Sequence, residues 1–501
     1  VKKLVDIQSF GSIDADNDEY LLQSFEDHEA YIKVLKREKF LVTGRKGSGK
    51  TAIYKKIITT KERDFFTFGH AFSDYPWHFH EKQAKEGVPD FDKFTHSWKY
   101  LILLTTAKII LNQDQSLPFD DASFEYLSKI EGFVVDSYGT RDPDVTQIFS
   151  PSKKLKLKPT FDIDVGILHA GISPESVPIA ELPLIVSEVN KNLAHYIIYS
   201  LNPNNGYYIC FDQLDLGFDP NSPQYYNRLI GLILAARDLN ILAKEMKRKF
   251  FVVIFLRDDI YDQLHFEDKN KITENFYTLI EWDTQRTSRT LKGLMEKRFK
   301  ATIGEFKDEV TWERVFDEAQ EMPGHQTKYK YITERTYLRP RDIIKFTNSV
   351  LQSYKNSVGL EGGDQSNLFL NQDLHNAREE YGRYFQREID DEIHKHIPAY
   401  NKYFEILKGI GVYRFRKDQF IMEYQNRTAI LPEGITPLQV LKELYEFSIL
   451  GYYKRGGKGF GGSEYVFKYK EPSQEFDETS DLFQVHLGLI DFLGLKRYEK
   501  K

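Results

Sequence analysis

The apolar positions fall into two regimes. From residue 38 a short apolar stretch, Lys39 to Thr43 (KFLVT), reads as a strand, Gly44 to Gly49 (GRKGSG) as a glycine-rich turn, and the chain from Lys50 as a helix with Ile53 and Ile57 on one side. A further strand is predicted from Phe65 to Ser73, with helices from Phe94 to Leu111, Ala122 to Val135 and Glu181 to Ser200. Strict alternation from Lys154 to Ile167 predicts a two-stranded excursion. Two nearly continuous apolar runs, Tyr207 to Phe211 (YYICF) and Phe250 to Leu256 (FFVVIFL), flank a helix from Tyr225 to Lys247. Such runs alternating with helices are the pattern of strands buried on both faces of a parallel sheet, so the fold class is α/β.

From about residue 285 strand signals thin out and helical spacing takes over, in Thr287 to Phe299 and Pro340 to Gln352. The polar, glycine-rich stretch Asn356 to Asn367 is the best linker in the chain, and a helix follows from Asp373 to His394. Thr436 caps a helix with Pro437 at its first position, Gln439 completing a capping box and Leu438, Leu441 and Tyr445 on one face. Leu450 to Lys470 then gives two aromatic strands around a glycine-rich loop, a hairpin. A helix followed by a long-looped hairpin is the outline of a winged helix. The organisation expected is a core over 1–285 carrying an insertion at about 76–180, a helical lid over 286–355, a linker and helix over 356–400, and a winged-helix-like domain over 401–501.

Composition narrows the function classes. With 69 Lys plus Arg against 75 Asp plus Glu the net charge is −6, so nucleic acid or anionic lipid would need a local basic patch. Cys210 is the one cysteine, which leaves no intrachain disulfide and no thiolate cluster for zinc or iron-sulfur, and fits a reducing cytoplasm. The first twenty residues lack a signal-peptide core, and the run from Tyr100 to Leu111, broken by Lys108, is too short to span a bilayer, so it is expected as a buried helix and no membrane partner is expected. His70, His78 and His80 lie close in sequence, and aromatic packing explains them better than a metal, because two imidazoles alone make a poor site.

The candidate chemistry begins at Gly44-Arg45-Lys46-Gly47-Ser48-Gly49-Lys50-Thr51, which matches G-x-x-x-x-G-K-[ST] between a strand and a helix. Glycines let backbone N–H groups converge on phosphate oxygens at a helix N-terminus, Lys50 would reach the β- and γ-phosphates, and the Thr51 hydroxyl would ligate Mg2+. The strand Tyr207 to Phe211 ends in Asp212, where a carboxylate organising that metal is needed. Gln213 follows; it can orient a water but not accept its proton, which leaves Asp215 as candidate base or else as a helix cap. The next strand ends at Arg257, either a γ-phosphate sensor at the ligand-binding edge of the sheet or a partner of Asp258. Arg341, in Leu338 to Asp342 (LRPRD), opens a helix whose dipole it opposes, which points to a nearby anion or to a pair with Asp342.

In this order the motifs resemble an AAA+ type ATPase, more closely its STAND-like or initiator-like branches, and Val485 to Leu495 resembles bacterial P-loop ATPases of uncharacterised or anti-phage defence type. The resemblance implies a P-loop NTPase fold with a helical lid and a C-terminal winged helix. It also implies ATP binding by Gly44 to Thr51, Mg2+ organisation by Asp212 and γ-phosphate sensing by Arg257 and Arg341. Gln213 departs from the acidic residue usual there, and the long separation of Lys50 from Asp212 implies the insertion, a partner or oligomer surface. Arg286 and Arg289 are the candidates for an arginine acting in trans. The expected function is an ATP-binding and hydrolysing switch that regulates its own assembly, as a homo-oligomer, or a separate effector protein in defence or signalling. The alternative is an initiator-like or remodelling ATPase that grips DNA through Lys454, Arg455 and Lys458 of the wing.

Overall fold

The computed structural model describes residues 2–71, 90–149, 183–216, 222–283, 290–304, 309–361, 367–394, 396–456 and 462–496. The expected Lys154 to Ile167 excursion, His78, His80, Arg286, Arg289, Lys458 and part of the glycine-rich linker lie outside the described residues. Two units are present: a sheet unit of Asp27–Arg45 and Lys50–Ile280, and a helical unit of Val1–Glu26, Lys46–Gly49 and Glu281–Lys501.

The sheet unit holds five parallel strands, β1 (Leu41–Thr43), β2 (Phe65–Ala71), β3 (Gly206–Asp212), β4 (Lys249–Leu256) and β5 (Tyr277–Leu279), in the order β2-β3-β4-β1-β5. All of β3 and all of β4 beyond Lys249 are buried, as the continuous apolar runs require of strands covered on both faces. The helices are α1 (Glu29–Leu35), α2 (Lys50–Ile58), α3 (Asp90–Asn112), α4 (Asp121–Tyr138), α5 (Val145–Phe149), α6 (Pro183–Ser200), α7 (Pro223–Glu245), α8 (Asp258–Gln263) and α9 (Lys269–Phe276). The pleat of β2 sorts them. A Cβ on Gly69 would meet the Tyr54 ring of α2, whereas the neighbouring Phe68 and His70 reach Lys108 and Thr105 of α3. Thus α2 covers one face and α3 the other. His70 is buried against Thr105 and stacked on Phe211, the packing role expected of it.

α3, within residues 76–180, is part of the expected insertion and yet covers the sheet, while α4 packs on α6 and α3. Trp98 of α3 donates its indole N–H to the Arg228 carbonyl of α7 at 2.9 Å and sets its ring edge-on to Phe211. Where β1 is too short to pair with the start of β4, Asn240 of α7 substitutes for it, accepting from the Val252 N–H at 2.7 Å and donating to the Val252 carbonyl at 3.0 Å.

The helical unit contains α10 (Leu291–Thr302), α11 (Lys328–Thr333), α12 (Pro340–Glu361), α13 (Asn371–Ile393), α14 (Tyr400–Ile410), α15 (Lys417–Gln425), α16 (Pro437–Glu446) and α17 (Ile490–Leu493). The N-terminal segment is tied into it by the buried Arg298–Asp18 pair at 2.6 Å and by Phe10, which packs edge-on to Phe299 and Phe369. Residues 356–361, read from sequence as linker, continue α12, which packs along α13. The predicted hairpin is present as β7 (Leu450–Lys454) and β8 (Glu464–Val466), but β6 (Arg414–Arg416) and β9 (Leu482–Val485) extend it to an antiparallel sheet in the order β6-β9-β7-β8. Thr436 caps α16 by accepting from the Gln439 N–H, while the Gln439 side chain reaches forward to Glu443 at 3.1 Å instead of back to close a capping box. Among the described residues no helix is long and apolar enough to cross a membrane.

Gly231 sets how closely α7 approaches α3: a Cβ there would lie 2.7 Å from Phe94 Cβ and 2.9 Å from the Phe94 carbonyl carbon. Alanine favours helix by up to about 1 kcal/mol over glycine, yet the overpacking cost is about 1–3 kcal/mol. Gly231→Ala is therefore expected to lower the stability found by denaturant unfolding, and an unchanged or raised midpoint would contradict this packing.

Candidate functional site

At the C-terminal edge of the parallel sheet, Thr43 at the end of β1 is in register with Leu256 of β4 and Leu279 of β5, and β3 ends nearby at Asp212. The chain leaves β1 for the far edge strand β2 but leaves β4 for β5, on the opposite side of β1. Strand order thus reverses at the loop after β1, and the crevice at such a reversal is where open α/β sheets bind ligands. That loop is Gly44–Gly49, leading into α2 at Lys50. Gly47 and Gly49 have φ of +80° and +108°, left-handed values that oblige glycine at these two positions.

Within the sheet unit the sequence-predicted residues Lys50, Thr51, Asp212, Asp215 and Arg257 come together. Gly69, which faces α2, is in register with Cys210, so Asp212 two residues on stands on the α2 face as well. Its carboxylate accepts from the Thr51 side chain and the Gln213 N–H, is 2 % exposed, and leaves Oδ2 without a partner. Burial pushes this carboxyl up to about 6, against the opposing pull of Thr51, Gln213 and Lys50. Lys50 Nζ donates to the carbonyls of Gly44 at 2.6 Å and Arg45 at 3.0 Å. Burial lowers its pKa, while Asp215, Asp258 and Asp212 work the other way.

Two features here were not legible in the motifs. Gln213 has φ of +59°, a left-handed conformation that costs a non-glycine residue about 1–2 kcal/mol, and it turns the chain sharply after Asp212. Arg257 does not pair with Asp258; it forms a two-pronged pair with Asp259 at 2.9 and 2.6 Å, and its Nη1 lies 3.7 Å from Asp215. Asp258 is instead left near Lys50 and Arg45, its carboxyl pushed up to about 6 by burial and by Asp259.

The middle of the loop, Lys46–Gly49, belongs to the helical unit. Lys46 Nζ pairs with Asp391 of α13 at 2.6 Å. Three successive carbonyls accept hydrogen bonds: Lys46 from Arg339 Nη1 at 2.8 Å, Gly47 from the Arg341 N–H at 3.5 Å, and Ser48 from the Trp282 indole at 2.9 Å. Ser48 Oγ is buried without a partner. The Arg341 guanidinium is not paired with Asp342; it donates to Glu388 at 3.0 Å and to the Ile13 carbonyl at 3.2 Å. Asp342 is taken by Arg339, which holds it through two bonds at 2.9 and 3.0 Å and also reaches Glu392 at 2.5 Å. Sequence reasoning passed over Arg339 and Trp282; for Arg339 the signal was available, since LRPRD offers two arginines and only one of them precedes the proline.

Among the described residues no group of three or more His, Cys, Asp or Glu side chains could hold a metal. The set Thr51 plus Asp212, with its unpartnered buried oxygen, nevertheless fits one side of a hard cation such as Mg2+, which takes few protein ligands and completes its shell with water and substrate phosphates.

Residues 289–389 match the model of the FunZ-associated C-terminal helical domain. The match runs over α10, α11, α12 and most of α13, and these described elements are helical as that description has it. No curated protein matches the chain.

The pH dependence of Asp212 has a definite sign. Its folded pKa, about 6, lies above the ordinary 3.8, so the native state holds a proton that the unfolded chain has lost, and stability falls as pH rises from about 4 to about 6. A tenfold change in proton affinity is worth about 1.4 kcal/mol, so Asp212→Asn is expected to be about 1–3 kcal/mol more stable than the parent at pH 7.5 when no ligand is added. The difference should vanish below pH 4. Equal stability at pH 7.5 by denaturant unfolding would contradict the burial of a carboxylate whose Oδ2 has no partner.

Proposed function

We propose that this protein binds ATP with Mg2+ at Gly44 to Thr51 and hydrolyses it as a molecular switch of AAA+ or STAND type, controlling its own assembly or a separate effector protein. One observation carries the reading: a glycine-built loop at the strand-order reversal delivers Lys50 and Thr51 beside Asp212, whose buried Oδ2 has no partner. A buried, unpaired carboxylate oxygen is expensive, and proteins keep such groups where a ligand satisfies them. The sheet with its reversal at β1, and the helices Leu291–Thr302, Lys328–Thr333 and most of Pro340–Glu361 over residues 286–355, the span expected of a lid, support the same reading.

In this account Lys50 exchanges its loop carbonyls for phosphate oxygens, a short movement for a side chain already held at the loop. Mg2+, when bound, would neutralise phosphate charge, held by Thr51 and organised by Asp212. Asp215 is the base candidate, oriented by Arg257 at 3.7 Å. Arg257 is the candidate γ-phosphate sensor of the sheet unit and would first loosen its ion pair with Asp259; Arg341, in the helical unit, is held by Glu388. A switch that must break an internal ion pair to engage its nucleotide is expected to turn over slowly.

A second reading has its own observation: Lys454 and Arg455 are exposed at the end of β7, in a sheet that with α16 has the outline of a winged helix. The DNA-binding alternative predicts salt-sensitive binding of duplex DNA, weakened by neutralising these two residues.

Steady-state ATP turnover by the purified chain with Mg2+ tests the main reading. Lys50→Ala is expected to abolish ATP binding and turnover, and Asp215→Asn to cut turnover by about a hundredfold or more with ATP affinity kept. Undiminished binding by Lys50→Ala would sink the assignment, and unchanged turnover by Asp215→Asn would remove that residue from the chemistry.

A further inference from the structure

Within the helical unit the segment Lys46 to Ser48 is held by its carbonyls. In a trans peptide the C=O and the following N–H point in opposite directions, so a donor that captures the carbonyl also fixes where the amide hydrogen points. The captured carbonyls are those of Lys46, Gly47 and Ser48, in sequence, and the amides thereby oriented are those of Gly47, Ser48 and Gly49. Two of these residues are glycines in left-handed conformations, where a peptide plane can flip at small cost unless something holds it.

We propose that Arg339 and Trp282 are positioning residues that hold the peptide planes of Lys46 to Gly49 in the one arrangement whose N–H groups can receive a nucleotide's phosphates. The proposal rests on the nucleotide-binding reading of the loop and adds to it the residues that pre-organise the site. Neither residue is built to bind phosphate itself. Arg339 is 2 % exposed and its charge is met by Asp342 and Glu392, so what it offers the loop is a directed N–H donor. Trp282 is buried, and its single ring N–H is spent on the Ser48 carbonyl. The buried Ser48 hydroxyl, between these held peptides and without a partner of its own, is a further polar group left for a ligand. Glycine at position 47 is needed twice over, for its φ and because a Cβ there would sit 3.0 Å from Arg341 Cβ.

The consequence is that ATP affinity depends on two side chains that never touch ATP. Affinity lost by releasing one oriented carbonyl is about tenfold, the worth of one hydrogen bond. The test uses the full-length chain, with ATP affinity measured by calorimetry in Mg2+ and stability by thermal unfolding, for the parent, Trp282→Phe, Arg339→Lys and Lys50→Ala. Trp282→Phe keeps an aromatic ring and removes the donor; Arg339→Lys keeps the charge beside Asp342 but is too short to serve all three of its acceptors. The expected result is an affinity loss of about tenfold in each with a thermal midpoint within about 2 °C of the parent for Trp282→Phe. Parent-like affinity in both would overturn the proposal and leave the nucleotide site standing. A loss of affinity matched by a large loss of stability in Trp282→Phe would also overturn it, by making the residue merely structural. A parent that binds no ATP, or binds it equally with Lys50→Ala, would overturn the underlying reading and the proposal with it.

Discussion

A peptide plane cannot turn its N–H without turning its C=O, and the proposed role of the Gly44–Gly49 loop in binding phosphate rests on that constraint. Anion binding needs several consecutive amide hydrogens facing one way, which obliges the matching carbonyls to find donors on the other side or stand unsatisfied. Here those donors are the Arg339 guanidinium, the first turn of α12 and the Trp282 indole. The glycines at 47 and 49 allow the conformation, and the donors select it.

The electrostatics follow from the same economy of space. Asp212 lies on the α2 face at the end of a fully buried strand, so it loses water without gaining a full set of partners, and its proton affinity rises. Lys50, desolvated in the same place, is pulled the opposite way by burial and is steadied by the surrounding carboxylates. Of the two, Asp212 keeps an unpartnered buried oxygen, which on the proposed reading a divalent cation would satisfy, whereas Lys50 is met by the Gly44 and Arg45 carbonyls. Cys210, two residues before Asp212, is buried with its thiol pushed up by burial, which marks it as packing.

Much of the sheet unit was legible in the chain. The buried strands β3 and β4 declared themselves as unbroken apolar runs, and the strand, loop and helix from Lys39 onward needed only the glycine spacing to be placed. Short elements were not legible: β5 is three residues long and β6 and β9 are three and four, too brief for a periodicity, and they exist because a neighbouring strand offers its ladder. The partners of arginines were the other failure. Arg257 takes Asp259 over its sequence neighbour Asp258, and Asp342 takes Arg339 over Arg341, because the turn of a helix start decides which side chains meet. The left-handed Gln213 carries no sequence mark at all; only the tertiary demand for a sharp turn after Asp212 imposes it. The stretch that matches the family model, 289–389, crosses the boundary that composition suggested at 356, and residues 356–361 continue α12.

Amide hydrogen exchange across residues 44–52, followed with and without ATP and Mg2+ on the full chain, tests the central claim most directly. The account predicts that exchange at the amides of Gly47 to Thr51 slows on adding ATP, with smaller protection at the start of α12, where the loop carbonyls are held. Unchanged exchange in the loop at saturating ATP, or protection confined to some other part of the chain, would contradict it.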